Sequence, residues 1–163
     1  DDYTLLPNNH YTMIALFDVL EHVPDDQVLL SKLHDVLTPT ASIIITVPAF
    51  QLLWSNHDVQ HHHYRRYTMH QLKKLLSKQG FEVRYISYWN MFLFLPALLV
   101  RMLGHSGESS FDPDSFLNRI FKSITSTESL LIPYLQLPFG TGLICYATTK
   151  STNTRTTLVL IDS

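Results

Sequence analysis

One apolar run limits the folds open to this chain more than any other feature. Ile43–Val47 is a continuous β-branched segment in which Thr46 is the only polar residue, and Pro48 ends it. A strand with one face in water alternates apolar and polar residues, whereas a strand covered on both faces, as in a parallel sheet, does not. The run therefore predicts a buried strand of a parallel, helix-covered sheet.

The segments before this strand are typical of the same architecture. Tyr11–Phe17 is apolar and β-prone, and predicts a buried strand that runs into an acidic loop. Asp25 is placed to cap a helix whose apolar residues recur at helical spacing, namely Val28, Leu29, Leu33, Val36 and Leu37. Thr38-Pro39-Thr40 is expected to end that helix.

The second half of the chain continues the alternation. Thr68 and Gln71 form a capping box and Gly80 stands at the C′ position, which predicts a helix between them. The segments after it predict a half-exposed strand from Phe81 toward Trp89, a helix from about Met91, a polar loop at Gly104–Asp114, a weak helix within Ser115–Ile132 and a last strand at Leu143–Thr149. Strands that alternate with helices indicate an α/β fold with a mainly parallel sheet and helices on both faces.

Composition excludes several classes of protein. Lys and Arg number 12 against 14 Asp and Glu, and no basic stripe is present, so nucleic acid is not an expected partner. The single cysteine, Cys145, lies in an apolar stretch and has no disulfide partner within the chain. The apolar segment Trp89–Leu103 contains Pro96 and is shorter than the roughly 20 residues of a membrane-spanning helix. It can still lie on a membrane surface or cover an apolar pocket.

The segment between the predicted central strand and the capped helix is the first candidate for function. Ala49–Tyr67 is irregular, aromatic and rich in histidine, and long loops in compact domains are usually functional. His57, His61, His62 and His63 suggest zinc, but adjacent residues point to opposite sides of an extended chain, and neither a cysteine pair nor a helical His-Glu motif accompanies them. We therefore expect no metal site.

Several motifs occur in a familiar order. They are Phe17-Asp18-Val19-Leu20-Glu21-His22-Val23, Leu53-Trp54-Ser55-Asn56-His57-Asp58, His63-Tyr64-Arg65-Arg66-Tyr67, Asn90 followed by Phe94-Leu95-Pro96, and Pro138-Phe139-Gly140. Together they resemble the C-terminal half of class I S-adenosylmethionine-dependent methyltransferases of the methyltransferase domain family. The resemblance covers roughly residues 11–150.

The resemblance implies a Rossmann-like sheet of which only part is present. Residues 1–150 would form a partial methyltransferase domain with the family's fourth to seventh strands, the last one antiparallel, and residues 151–163 would be a tail of unknown role. The glycine loop that holds much of the cofactor belongs to the absent first strands. We therefore expect a truncated chain that alone binds S-adenosylmethionine weakly or not at all.

The resemblance also implies roles for individual residues. Asp18, Val19, Leu20 and Glu21 would lie near the methionine end of the cofactor, and His22 or His57 would be the proton acceptor. The expected acceptor-side residues are Trp54, Asp58, His63, Arg65, Arg66, Tyr67 and Asn90. Because Arg forms bidentate bonds with carboxylates, an equally open alternative is that Arg65 or Arg66 pairs with Asp58 and braces the loop.

The expected activity is transfer of a methyl group from S-adenosylmethionine to a small-molecule or lipid-linked acceptor, a reaction that depends mainly on alignment of the reactants. The alternative is a non-catalytic half-domain that acts as an interaction module and pairs its open strand edge with another chain. We expect a cytoplasmic location, with peripheral membrane contact through Met91–Leu103.

Overall fold

The fold was analysed in a computed structural model, which describes residues 11–103, 126, 128, 130 and 134–150. Its elements in chain order are β1 (Tyr11–Phe17), a 3-10 helix (Leu20–His22), α1 (Asp26–Val36), β2 (Leu37–Pro48), a second 3-10 helix (Gln51–Leu53), α2 (Asn56–Gln60), α3 (Met69–Lys78), β3 (Phe81–Trp89), α4 (Met91–Met102) and β4 (Gly142–Thr149).

The four strands form one mixed sheet in the order β1-β2-β4-β3. β1 and β2 are parallel, and β4 is antiparallel to both of its neighbours, β2 and β3. β1, β2 and β3 therefore run in one direction, and the last strand is inserted between β2 and β3 in the opposite direction. The predicted mainly parallel sheet with a final antiparallel strand is confirmed.

The hydrophobic core covers one face of this sheet. Ile43 and Ile45 of β2 are fully buried, and their cross-strand partners include Cys145 and Ala147 of β4. Helices α1 and α3 add the fully buried Leu30, Leu72 and Leu76 to the same cluster. Burial of this kind stabilises a fold by roughly 1.5–3 kcal/mol for each large aliphatic side chain.

The opposite face of the sheet is only partly covered. Ile44 and Thr46 are half-buried, so the predicted complete burial of Ile43–Val47 on both faces is wrong for these two side chains. In β1, Met13 is 56% and Phe17 62% exposed, which corrects the prediction of a buried strand there. The apolar side chains of β1 thus form an exposed surface that no described residue of this chain covers.

Local sequence signals account for the helix ends. Asp25 accepts hydrogen bonds from the backbone N–H groups of Gln27 (3.1 Å) and Val28 (3.0 Å), which caps α1 as predicted. Thr68 caps α3 in the predicted capping box, and Gly80 follows that helix with a φ of 83°. α1 ends at Val36, and Leu37–Thr40 belong to β2, because strand pairing extends further toward the N-terminus than the β-branched run indicated.

Helix α4 begins at a buried carboxylate. Asn90 precedes it with a φ of 56°, and both oxygens of Glu128 accept from the backbone N–H of Met91, at 3.1 and 2.9 Å. Ser126, Glu128 and Leu130 are helical, as the weak pattern of Ser115–Ile132 predicted. The rest of that segment, the predicted loop at Gly104–Asp114 and the tail 151–163 lie outside the described residues. Among the described helices, none has the length and apolar character that crossing a membrane requires.

Candidate functional site

A cavity of about 370 Å³ opens at the edge of the sheet where β1, β2 and β3 end. In α/β sheets, ligands bind at the carboxyl ends of the parallel strands. The cavity is lined by residues from strand ends, the first 3-10 helix and the histidine-rich loop. They are Asp18, Glu21, His22, Val47, Pro48, His57, His61, His63, Arg66, Trp89, Thr141 and Gly142.

Asp18 is fixed at the end of β1 by β2. Its backbone N–H donates to the carbonyl and hydroxyl oxygens of Thr46, both at 3.1 Å, and its carboxylate accepts from the same hydroxyl at 3.1 Å. Its φ is 51°, a left-handed conformation that is uncommon outside glycine. Such a backbone at a strand end is frequent at functional sites, where it directs a side chain.

Glu21 presents an unsatisfied carboxylate. Its side chain is 1% exposed, and its Oε2 atom has no hydrogen-bond partner within the described structure. Burial raises the pKa of Glu21 to about 7; a hydrogen bond with its own backbone opposes the shift, and the negative charge of Asp18 adds to it. An unpaired buried oxygen is costly, so Glu21 is suited to receive a proton, a donor or a cation.

The histidine-rich loop is more ordered than the sequence indicated. Instead of an irregular segment, Ala49–Tyr67 contains the 3-10 helix Gln51–Leu53 and α2. The loop closes on itself, because the Phe50 N–H donates to the Tyr67 carbonyl at 2.9 Å and the Tyr67 N–H donates to the Pro48 carbonyl at 3.0 Å. The side chains of the loop are therefore held on a fixed base.

Asp58 organises the loop from within. It is 0% exposed and accepts from Arg66 Nε (2.8 Å) and Nη2 (2.9 Å), from His63 Nδ1 (2.8 Å) and from the Ser55 N–H (2.8 Å). Burial alone would raise its pKa, but the hydrogen bonds from Arg66 and His63 outweigh burial and hold the pKa of Asp58 below its usual value. Asp58 and Arg66 thus form the pair that was the alternative to substrate contact, and Arg66 also lines the cavity.

Arg65 and Tyr67 form a second brace on the other side of the loop. Arg65 Nη1 lies 2.8 Å from Asp26 Oδ2, and its Nη2 donates to the Pro24 carbonyl. The Tyr67 hydroxyl donates to the same Asp26 oxygen at 2.9 Å, and burial followed by this bond raises the pKa of Tyr67. Both residues were predicted to bind substrate, but their polar atoms attach the loop to the start of α1.

Four histidine rings gather around the cavity. The ring centroids of His22 and His63 are 4.5 Å apart, and those of His57 and His61 are 4.1 Å apart. Partial burial and the neighbouring His61 lower the pKa of His57, which favours its neutral, proton-accepting form. The cavity therefore combines imidazole bases with the unsatisfied Oε2 atom of Glu21.

The structure brings together six of the predicted site residues, which line the cavity: Asp18, Glu21, His22, His57, His63 and Arg66. Val19, Leu20, Trp54 and Asn90 are not part of its lining, and Leu20 is fully buried in the core.

Trp89 and Thr141 also line the cavity, although neither was predicted to do so from the sequence. Trp89 ends β3 and pairs with Gly142 at the start of β4. The available signal was the position of Trp89 at the carboxyl end of a strand, the same criterion that selected Asp18.

Comparison with protein families gives a direct match. Residues 2–86 match the model of a family described as "Methyltransferase domain". A search of curated proteins found no match.

Solved structures share the fold at low sequence identity. An S-adenosylmethionine-dependent methyltransferase from Archaeoglobus fulgidus is 17% identical, with a TM-score of 0.51 over 90% of this chain and 62% of that protein. One from Thermotoga maritima is 12% identical, with a TM-score of 0.51 over 90% and 59%, and one from Mesorhizobium loti is 12% identical, with a TM-score of 0.50 over 88% and 63%.

The chain thus spans about three fifths of the length of these structures. At such identities the likeness shows the fold alone, whereas the family match covers more than half of the chain. The chain belongs to the methyltransferase domain family and has the Rossmann-like fold of S-adenosylmethionine-dependent methyltransferases.

Proposed function

We propose that the protein containing this chain transfers a methyl group from S-adenosylmethionine to a small-molecule or lipid-linked acceptor. The observation that carries the proposal is the cavity at the carboxyl ends of the strands, where Asp18 and Glu21 present carboxylates beside a histidine cluster. In a chain of this family, that edge of the sheet is the expected place for the cofactor.

The residues present fit the amino-acid end of the cofactor. The Asp18 carboxylate lines the cavity at the end of β1, and the ammonium group of S-adenosylmethionine is a donor of suitable charge for it. Glu21 adds a second carboxylate to the same lining. When bound, the cofactor supplies an electrophilic methyl group on a sulfonium, and the protein supplies alignment.

Where the nucleophile of the methyl acceptor carries a proton, we propose that His57 is the base that removes it. It lines the cavity, and its lowered pKa keeps the ring neutral near neutral pH. His22, the other residue expected in this role, lies in the same lining.

The surface of α4 supports an acceptor with an apolar part. Its exposed apolar side chains recur at intervals of three and four residues, which places them along one stripe: Phe92 (54% exposed), Leu95 (58%), Leu99 (59%) and Met102 (76%). Arg101 Nε donates to the Leu53 carbonyl at 3.3 Å and so attaches α4 to the loop beside the cavity. This stripe also supports peripheral membrane contact; the cytoplasmic location stays a prediction from sequence.

The test is methyl transfer by the full-length protein. The protein is incubated with S-adenosylmethionine carrying a radioactive methyl group and with separate aqueous and lipid extracts, and labelled products are partitioned between water and organic solvent. We expect labelled product, with a slower rate for His57→Gln and an unchanged rate for His70→Gln, because His70 is exposed on α3 and outside the cavity. Absence of labelled product from both extracts would count against the proposal.

A second candidate function is an interaction module. It is favoured by the exposed apolar side chains of β1, which is an edge strand in the described sheet. Light scattering of the full-length protein and its Phe17→Asp variant tests it. A wild-type oligomer that the substitution dissociates, together with no binding of S-adenosylmethionine, would favour this candidate over the enzyme.

A further inference from the structure

The cavity contains a group of side chains with the chemistry of a metal centre. One ligand atom each from Glu21, His22 and His63 lies within 4.8 Å of the others. Two imidazoles and a carboxylate form a common ligand set of catalytic zinc, which uses three protein ligands and leaves a fourth position open. We propose that Glu21, His22 and His63 bind a divalent transition-metal ion of the zinc type.

Glu21 supplies the charge that such an ion requires. Its Oε2 atom is buried and has no partner among the described residues. Arg66, a nearby cation, donates its Nε and Nη2 to Asp58 and its Nη1 to the Ala49 carbonyl, and none of its described hydrogen bonds goes to Glu21. A metal ion would satisfy the orphaned carboxylate oxygen, which no described side chain does.

His63 is oriented as metal-binding histidines usually are. Its Nδ1 lies 2.8 Å from Asp58 Oδ1, and Asp58 is itself held by Arg66 and Ser55. A histidine that donates one ring N–H to a carboxylate has a fixed tautomer, and its other nitrogen, here Nε2, carries the free lone pair. The carboxylate that would hold His63 in the proposed site is therefore already in place.

The backbone connects the two segments that carry the ligands. The Tyr64 N–H donates to the Glu21 carbonyl at 2.7 Å, which ties the chain beside His63 to the 3-10 helix of Glu21 and His22. A tetrahedral ion with bonds of about 2.0–2.1 Å needs ligand atoms roughly 3.3 Å apart. His22 is exposed, and its ring packs edge-on against that of His63, the other imidazole of the proposed site.

This arrangement differs from the zinc pattern that the sequence argument rejected. The rejected pattern consists of neighbouring histidines of one loop, such as His62 and His63, whereas the proposed ligands come from two segments about 40 residues apart in the chain. The open position would take a water molecule or an oxygen or nitrogen atom of the methyl acceptor. The assignment to the acceptor rests on the proposed function, but the metal site does not.

The test measures metal binding by the full-length protein, free of any affinity tag and stripped with a chelator. Zn²⁺ is titrated calorimetrically, and Co²⁺ is added as a spectroscopic probe of coordination geometry. The variants are His22→Ala, His63→Ala and Glu21→Gln, with His70→Ala as the matched control. Circular dichroism verifies folding, and His22, as an exposed residue, gives a variant whose fold is not at risk.

We expect one Zn²⁺ per chain, at least a tenfold loss of affinity in each ligand variant, no loss in His70→Ala, and a tetrahedral Co²⁺ spectrum that His22→Ala abolishes. A wild-type protein that binds no Zn²⁺, folded ligand variants that bind it like wild type, or an equal loss in the control would overturn the proposal. Titration of S-adenosylmethionine into the same samples separates the two proposals. Cofactor binding without Zn²⁺ binding removes only the metal site, and the reverse result removes only the proposed function.

Discussion

Replacement of Asp58 by asparagine tests whether the loop that frames the cavity is held by a buried ion pair. The carboxylate is 0% exposed and accepts two bonds from Arg66, whose side chain is 11% exposed. The amide introduced by Asp58→Asn would keep the shape but remove the negative charge and turn an N–H group toward existing donors. Arg66 would then be a buried cation without a counter-charge.

The expected cost follows from that geometry. Removal of one partner of a buried ion pair typically destabilises a protein by about 3–5 kcal/mol. The matched control is Glu82→Gln, since the Glu82–Arg84 pair has side chains that are 50% and 51% exposed. Exposed pairs contribute about 0–1 kcal/mol, so the control should leave stability nearly unchanged.

Urea denaturation followed by circular dichroism measures both variants, and pH provides a second readout. The folded-state pKa of Asp58 lies below its unfolded value. Its stabilisation is therefore present above about pH 4 and is lost as pH falls through the folded-state pKa. The difference between wild type and Asp58→Asn should shrink in acid. A loss below about 1 kcal/mol at neutral pH would refute the reasoning.

Two further predictions concern residues of the same cavity. The rise in the pKa of Glu21 from 4.5 to about 7 means that ionisation of its buried carboxyl destabilises the fold by about 3 kcal/mol as pH rises through this range. In urea titrations with a chelator present, the stability of Glu21→Gln relative to wild type should therefore increase from about pH 5 to about pH 8. The same difference in stability at both pH values would contradict this. Gly142→Ala should cost about 1–3 kcal/mol in thermal denaturation, because a Cβ there would overlap the Trp89 indole; unchanged stability would show that Trp89 moves freely.

Local signals in the sequence predicted much of the fold. The capping box at Thr68 and the glycine at position 80 predicted α3 because a helix end depends on residues within one turn. The position of β4 between β2 and β3 is non-local and was not predicted; the family resemblance implied only that the last strand is antiparallel. The exposure of Phe17 was not predictable, since an apolar residue in the sequence does not show which other segments pack against it.

The site was predictable to a smaller extent. Asp18 and Glu21, which the resemblance places after the fourth strand near the cofactor, do lie in the cavity at the carboxyl ends of the strands. The pair of Asp58 with Arg66 was one of two alternatives that the sequence left open, whereas the pair of Arg65 with Asp26 was not predicted, because the sequence does not distinguish an arginine that pairs with an acid from one that contacts substrate. The proximity of Glu21 and His63 depends on tertiary structure, so it could not be predicted from the sequence.

The most direct test of the central claim is calorimetric titration of S-adenosylmethionine into the full-length protein and its Asp18→Asn variant, with Glu82→Gln as the control outside the cavity. The account predicts saturable binding, at least tenfold weaker binding in Asp18→Asn, and no change in the control. Absence of binding by the wild-type protein, or equal affinity of wild type and Asp18→Asn, would contradict the assignment of this cavity to the cofactor.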